Sequence, residues 1–144
     1  MITQIRQAQV TDMDHVMSLW LQGNLATHDY IPASYWQSQQ TAAKEAMLES
    51  QLWLYEVNGE LLGFIGLMDN YLAGLFVTKL AQNQGIGGKL LRHSQGLHSE
   101  LTLTVYQKNS RAIAFYQRHG FGIQESQIDL ATQEKEYLMK WHQA

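Results

Sequence analysis

Residues 82–88, Gln-Asn-Gln-Gly-Ile-Gly-Gly, form the segment whose residue types and spacing have the clearest chemical consequence. They stand between an apolar strand pattern and a helix that opens through Lys89, Leu90 and Leu91. A turn of this kind leaves N–H groups at a helix N-terminus without intrahelical partners, and the partial positive charge there favours phosphate. Glycine suits it because a Cβ would hold phosphate oxygens away from the amides. Three phosphate-binding spacings can be compared. A P-loop would need Gly at Asn83 and Ser or Thr at Leu90. A dinucleotide fingerprint would need Gly or Ala at Leu90 and an acid near Val105 to hold a ribose. The third pattern, Gln/Arg-x-x-Gly-x-Gly, matches at Gln82, Gly85 and Gly87. The same residues could also serve only to turn the chain.

A second pattern follows downstream: Asn109-Ser110-Arg111-Ala112-Ile113-Ala114-Phe115-Tyr116, then Gly120-Phe121. With these two motifs in this order, and about seven strands around them, the chain resembles the GNAT (GCN5-related N-acetyltransferase) superfamily over essentially its whole length. Thr27-His28, Tyr35-Trp36 and Val105-Tyr106-Gln107-Lys108-Asn109 are similar to short bacterial members. The resemblance implies acetyl-CoA as co-substrate and CoA as product. Gln82, Asn83, Gln84, Gly85, Ile86, Gly87, Gly88 and Lys89 would wrap its pyrophosphate. The strand Leu75-Phe76-Val77 would pair its backbone with the pantetheine arm, and Asn109, Ala112 and Phe115 would complete the CoA site.

Within that resemblance Tyr116 becomes the candidate catalytic residue. When an amine attacks a thioester, collapse of the adduct expels a thiolate, and a tyrosine hydroxyl can protonate it. An ordinary tyrosine, with pKa about 10, carries its proton at neutral pH. Composition alone would make Tyr116 a helical side chain packed with Ala112 and Phe115. Likewise Asn109 is a good N-cap in its own right, and Phe115 and Phe121 read as core aromatics. The oxyanion would meet a main-chain N–H at Phe76 or Val77, a donor that contributes on the order of 3 kcal/mol in such sites.

The acceptor must lose a proton before it attacks. A lysine amine with pKa about 10.4 is almost wholly protonated at neutral pH, whereas an α-amino group at about 7.7–8.0 is partly neutral. Some family members place a glutamate base on the strand before the glycine turn, but Tyr71 to Val77 contains no acid. Asp69, or His28 between the first helices, could pass the proton through water. The family builds its acceptor site where this chain has His28, Asp29, Tyr30, Tyr35 and Trp36, and aromatic rings beside an acid suit an amine. A hydrophobic core would use the same aromatics. With Asp69 and Tyr71, the substrate candidates are His28, Tyr30, Trp36, Asp69 and Tyr71. The expected acceptor is a protein or peptide amine, lysine or N-terminal, ahead of a metabolite amine. A CoA-binding sensor without catalysis is the competing class, against which Tyr116 speaks.

Composition limits the alternatives. The chain has 144 residues, enough for one domain with a real core, and residues 1–144 are expected to form a single acetyltransferase domain. With a net charge of −3, nucleic acid is not the expected partner. No cysteine is present, so disulfides, thiolate metal sites and a cysteine nucleophile are excluded. Six histidines invite a metal site, but His93 and His98 are five apart on one helix, no HExxH spacing occurs, and no metal is expected. These histidines read as solvated. Lys89, Arg92, Lys108 and Arg111 flank the motifs and could meet a 3′-phosphate or simply face water. Serine hydrolase chemistry lacks its Gly-x-Ser-x-Gly setting. No leader or membrane-spanning run is visible, so a cytoplasmic monomer or homodimer is expected, with no membrane partner.

The elements that must position these residues follow from pattern. Ile2 to Ala8 alternates as a strand. Thr11 caps a helix with Asp12 and Asp14 in its first turn and Val16, Leu19 and Trp20 on one face. His28 to Ala33 is a loop, and Ser34 caps a second helix reaching about Ser50. Trp53–Val57 and Glu60–Met68 are strands joined by the hairpin pair Asn58-Gly59. Asp69-Asn70 turns into a strand at Tyr71–Val77. Leu101–Val105 is a strand, Asn109-Ser110 caps a helix stopped at His119-Gly120, and Phe121–Asp129 and Glu136–Trp141 are strands. The fold class expected is a mixed α/β (α+β) sheet, mostly antiparallel, with helices on both faces.

Overall fold

The computed structural model describes residues 2–144. Two compact units divide the chain, one reaching to His93 and one running from Ser94 to Ala144. The first is an antiparallel meander under three helices. Its order is β1 (Thr3–Gln7), a 3-10 turn (Val10–Asp12), α1 (Met13–Thr27), α2 (Ala33–Ser38), α3 (Gln40–Glu49), β2 (Gln51–Val57), β3 (Glu60–Met68), β4 (Tyr71–Val77), a second 3-10 turn (Lys79–Ala81), and the start of α4 (Ile86–Gln95).

Turn chemistry sets the register. Asn58 and Gly59 take φ of 52° and 81°, the left-handed pair a tight hairpin requires. The β2–β3 pairs then run from Val57↔Glu60 to Gln51↔Leu67, with one irregularity at Tyr55/Glu56. Met13, Val16 and Leu19 of α1 pack on Leu52 and Leu54 of β2 and Leu61 and Phe64 of β3, with Trp20 and Phe76 at the border. Val16, Leu54 and Phe64 are wholly buried. Truncating a side chain such as Phe64 to Ala costs roughly 3–5 kcal/mol.

A polar hub ties β1, the first turn and β2. The Arg6 guanidinium makes two 2.9 Å bonds to the Asp12 carboxylate and one of 3.1 Å to Glu56. The expected Thr11 cap is therefore corrected. Thr11 lies inside the 3-10 turn, and the Asp12 carboxylate accepts from the Gln9 N–H at 2.7 Å. The single helix expected from Ser34 is corrected too. Pro32 is the N-cap of α2, and the helix breaks at Gln39, which ends α2 and begins α3. Proline fixes φ near −65° and has no N–H to satisfy, so it outcompetes serine two positions later.

The second unit holds β5 (Glu100–Tyr106), α5 (Ser110–Arg118), β6 (Gly122–Asp129) and β7 (Glu134–His142). β7 is its middle strand, antiparallel to β5 and β6. Leu101, Leu103 and Val105 alternate inward along β5, with Met139 of β7 also buried. Asn109 caps α5, its side-chain oxygen accepting from the Ala112 N–H at 3.2 Å. Gly120, at φ 89°, stops it. The Phe121 and Gly120 N–H groups close back onto the Tyr116 and Gln117 carbonyls at 3.1 and 3.2 Å. That is a Schellman ending, and the Tyr116 and Phe121 rings supply its apolar contact at 5.5 Å between centroids.

Seven strands, paired antiparallel within each unit, and five α-helices make up the described residues. No helix among them is long and apolar enough to cross a membrane.

Candidate active site

The glycine turn is a backbone construction. After β4 and its 3-10 turn, Asn83 and Gly85 take φ of 65° and 80°, and α4 begins at Ile86. The Lys89 N–H makes a helical bond to the Gly85 carbonyl at 3.0 Å, so Ile86, Gly87 and Gly88 come before it in the first turn. A Cβ on Gly85 would meet no atom within 4 Å, so backbone conformation, not crowding within the chain, demands glycine there. Gln82, Asn83, Gln84 and Gly85 are exposed, whereas Ile86 is buried and anchors the turn. Ile86 seats over Gly63 of β3, where a Cβ would come within 3.3 Å of Ile86 Cγ2 and 2.9 Å of the Phe76 carbonyl oxygen.

Along β4 the N–H groups of Phe76 and Val77 turn to opposite sides. The Thr78 N–H donates to the Leu62 carbonyl at 2.8 Å, and the register continues as Gly63↔Val77 and Phe64↔Phe76. Antiparallel ladders alternate, so Phe76 belongs to a hydrogen-bonded pair and its N–H turns toward β3. The Phe76 N–H is thereby used within the sheet. The N–H groups of Val77 and Leu75 turn the other way. Gln82 secures the end of this strand, its side-chain amide donating to the Val77 carbonyl at 3.1 Å. That side chain holds the protein's own backbone. The Lys89 ammonium stands over the Tyr55 ring, 5.8 Å from its centroid.

At the α1–α2 connection the rings of His28, Tyr30, Tyr35 and Trp36 gather. His28 lies 5.5 Å from Trp36 and 5.8 Å from Tyr30, and Trp36 meets Trp20 at 6.1 Å and Tyr35 at 5.0 Å. His28 Nδ1 is 3.1 Å from Asn24 Oδ1. Burial pushes the His28 pKa down to about 4, so the ring is neutral near pH 7. α1 lies beside β4 here: a Cβ on Gly23 would fall 2.5 Å from Phe76 Cδ1. His28 follows about 7 Å further along the helix. Asp69 is not brought to this place. It sits exposed in the β3–β4 turn at φ 54°, eight residues before Val77, about 25 Å of strand away. Tyr71 is exposed at that same far end of β4.

In the second unit Tyr116 is half-buried on α5, its ring 5.3 Å from Phe115 and 5.5 Å from Phe121. Ala112 and Phe115 share its half-buried face, and Phe115 stacks on His119 at 4.6 Å. The solvated reading of His93 is corrected: its ring packs edge-on against Trp53 at 4.4 Å, and the Nε2 atoms of both His93 and His98 are buried. No metal-holding group of three or more His, Asp or Glu exists among the described residues.

Two residues of this region lie outside the candidates drawn from the sequence. Asn24 is a 4 % exposed polar side chain on α1, and Gly23 gives Phe76 its room. Their signals were an i, i+4 relation to His28 and a glycine inside a helix that carries no turn.

The model of the acetyltransferase (GNAT) domain matches residues 49–123. The peptidyl-lysine N-acetyltransferase YiaC of Escherichia coli K12 is 39% identical over 139 residues, covering 95% of this chain and 92% of that protein. Among solved structures, apo YjaB from Escherichia coli superposes with a TM-score of 0.86 at 24% identity over 100% of both chains. The PaiA N-acetyltransferase of Thermoplasma acidophilum, in complex with coenzyme A, gives 0.84 at 20% identity, covering 99% of this chain and 100% of that one. The fold is thus that of a GNAT domain. The chain belongs to the GNAT acetyltransferase family, and it is an N-acetyltransferase whose acyl donor is acetyl-CoA.

Proposed function

We propose that the chain acetylates the side-chain amine of lysine in proteins or peptides, and that residues 1–144 act as one catalytic domain. The observation that carries the catalytic reading is the glycine turn, where left-handed Asn83 and Gly85 lead directly into the first turn of α4. That turn fits a diphosphate: Gly85, Ile86, Gly87 and Gly88 would hold it through main-chain N–H groups and the positive end of the helix. Asn83, Gln84 and the capped start of α5, with Asn109, Ala112 and Phe115, complete the proposed donor site. Gln82 acts on it through the Val77 carbonyl.

Bound acetyl-CoA supplies a thioester carbonyl open to an amine. Val77 offers its N–H to the oxygen as negative charge develops, with Leu75 its neighbour on the same edge of β4. Tyr116 gives its phenolic proton to the departing sulfur. His28, Tyr30 and Trp36 form the proposed amine side, while Asp69 and Tyr71 would meet more distant parts of an acceptor. The lysine acceptor is supported by YiaC, named a peptidyl-lysine N-acetyltransferase, which aligns with 95% of this chain. The family match runs through residue 93, where the two units meet in sequence, which supports one domain.

Release of free CoA thiol, followed with lysine peptides, N-terminal peptides and small amines, tests the reading. Lysine peptides should turn over fastest. Faster turnover of a small amine would overturn the acceptor assignment, and acetyl-CoA binding without turnover on any amine would leave a sensor.

A further inference from the structure

Asn24 is a buried side-chain amide that the proposed chemistry leaves without a task. Its two ends face different partners. Asn24 Nδ2 donates to the Trp20 carbonyl at 3.0 Å. A carbonyl oxygen can only accept, so the amide nitrogen must face Trp20, and flipping the group would set oxygen against oxygen. Asn24 Oδ1 is then left facing His28 Nδ1 at 3.1 Å. That oxygen is also acceptor-only, so His28 Nδ1 must carry a hydrogen. In a neutral imidazole one nitrogen donates and the other accepts. Nε2 is therefore the atom with the lone pair.

We propose that Asn24 is a positioning residue that holds His28 as the Nδ1–H tautomer, so that His28 Nε2 accepts a hydrogen bond from an N–H of the acceptor amine. This inference rests on the acceptor reading given above. Three features converge on it. The His28 main-chain N–H also closes on the Asn24 carbonyl at 2.9 Å, so backbone and side chain fix the ring together. The Trp36 and Tyr30 rings flank the imidazole and give a cationic or amine nitrogen an aromatic wall. Gly23, one residue before Asn24, is where α1 comes against Phe76 of β4, and Val77 follows Phe76. The ring acts as an acceptor and not as a proton store, because burial disfavours its charged form.

Two measurements test the proposal. A long-range nitrogen–proton correlation spectrum of the wild-type protein near pH 7, assigned with His28→Gln, should show a protonated Nδ1 and an unprotonated Nε2 for His28. The opposite tautomer, or a doubly protonated ring, overturns the proposal whatever the catalytic outcome. In steady-state kinetics, Asn24→Leu and His28→Phe should each raise KM for a lysine peptide by about tenfold, the size of one hydrogen bond, and leave KM for acetyl-CoA within about twofold. Equal rises in both constants would show a structural role only. Failure of the wild-type enzyme to acetylate any lysine peptide would sink the acceptor reading, while the spectrum would still decide the tautomer.

Discussion

The glycine turn and the cluster around His28 are built from different materials. The turn works through main chain: left-handed Asn83 and Gly85, a helix start and exposed positions. The His28 cluster works through side chains: four rings and a buried amide whose partners are set by packing across α1 and α2. A main-chain site needs glycine at set intervals and so writes itself into the sequence. A side-chain site uses residues that a core would also choose.

The sharpest way to separate the two materials is to add a carboxylate to the first. Gly87→Glu falls in the first helical turn of α4, at a negative φ open to any residue, and should weaken acetyl-CoA binding by more than about a hundredfold in calorimetry, with the fold intact. Gly85→Glu should do the same and also lose about 1–2 kcal/mol of stability, because its φ is 80°. Unaltered binding in both variants would remove the phosphate cradle. Next in size, Tyr116→Phe should lower kcat by roughly a hundredfold with acetyl-CoA affinity nearly unchanged. Equal losses in turnover and affinity would make Tyr116 a packing residue.

Gly23→Ala probes the border between main chain and side chain. Its Cβ would strike Phe76 Cδ1 at 2.5 Å, costing roughly 1–3 kcal/mol in denaturant unfolding despite better helix propensity. Phe76→Leu in the same molecule should recover most of that loss; no recovery would place the strain elsewhere.

The smallest effects concern pH. The folded His28 pKa is about 4 against an ordinary 6.5, so its stability contribution is complete above about 6.5 and is lost as pH falls from there toward 4. Melting temperature should therefore slope downward through that window, and His28→Gln should flatten it. The Asp12 carboxyl, held down chiefly by its hydrogen bonds from Arg6, should add a separate loss only below its ordinary 3.8. Arg6→Met should remove that lower step and leave the upper one.

Much of the fold could be read from residues alone, for reasons these examples make plain. Asn58-Gly59 demanded a hairpin, Gly120 a helix stop, and Leu101, Leu103 and Val105 an alternating strand. What stayed hidden depended on competition or on register. Pro32 won the cap from Ser34, and Asp12 won it from Thr11 once Arg6 was in reach. Whether Phe76 or Val77 presents its N–H depended on pairing with Leu62 and Phe64 of β3, which no pattern within β4 encodes. Asn24 escapes notice because its i, i+4 relation to His28 gains meaning only once its buried side chain is known to meet that ring.

The bond from Gln82 to the Val77 carbonyl, with the ladder between Phe64 and Phe76, fixes the chain on both sides of the Val77 N–H. The peptide link that carries this hydrogen has the Phe76 carbonyl, which belongs to the ladder with β3, while Gln82 holds the carbonyl of the next link, so the direction of the N–H is set by the protein's own backbone. Nineteen of the twenty amino acids would supply that same hydrogen at position 77; only proline would not. The proposed donor role of Val77 therefore leaves no mark in the identity of its side chain.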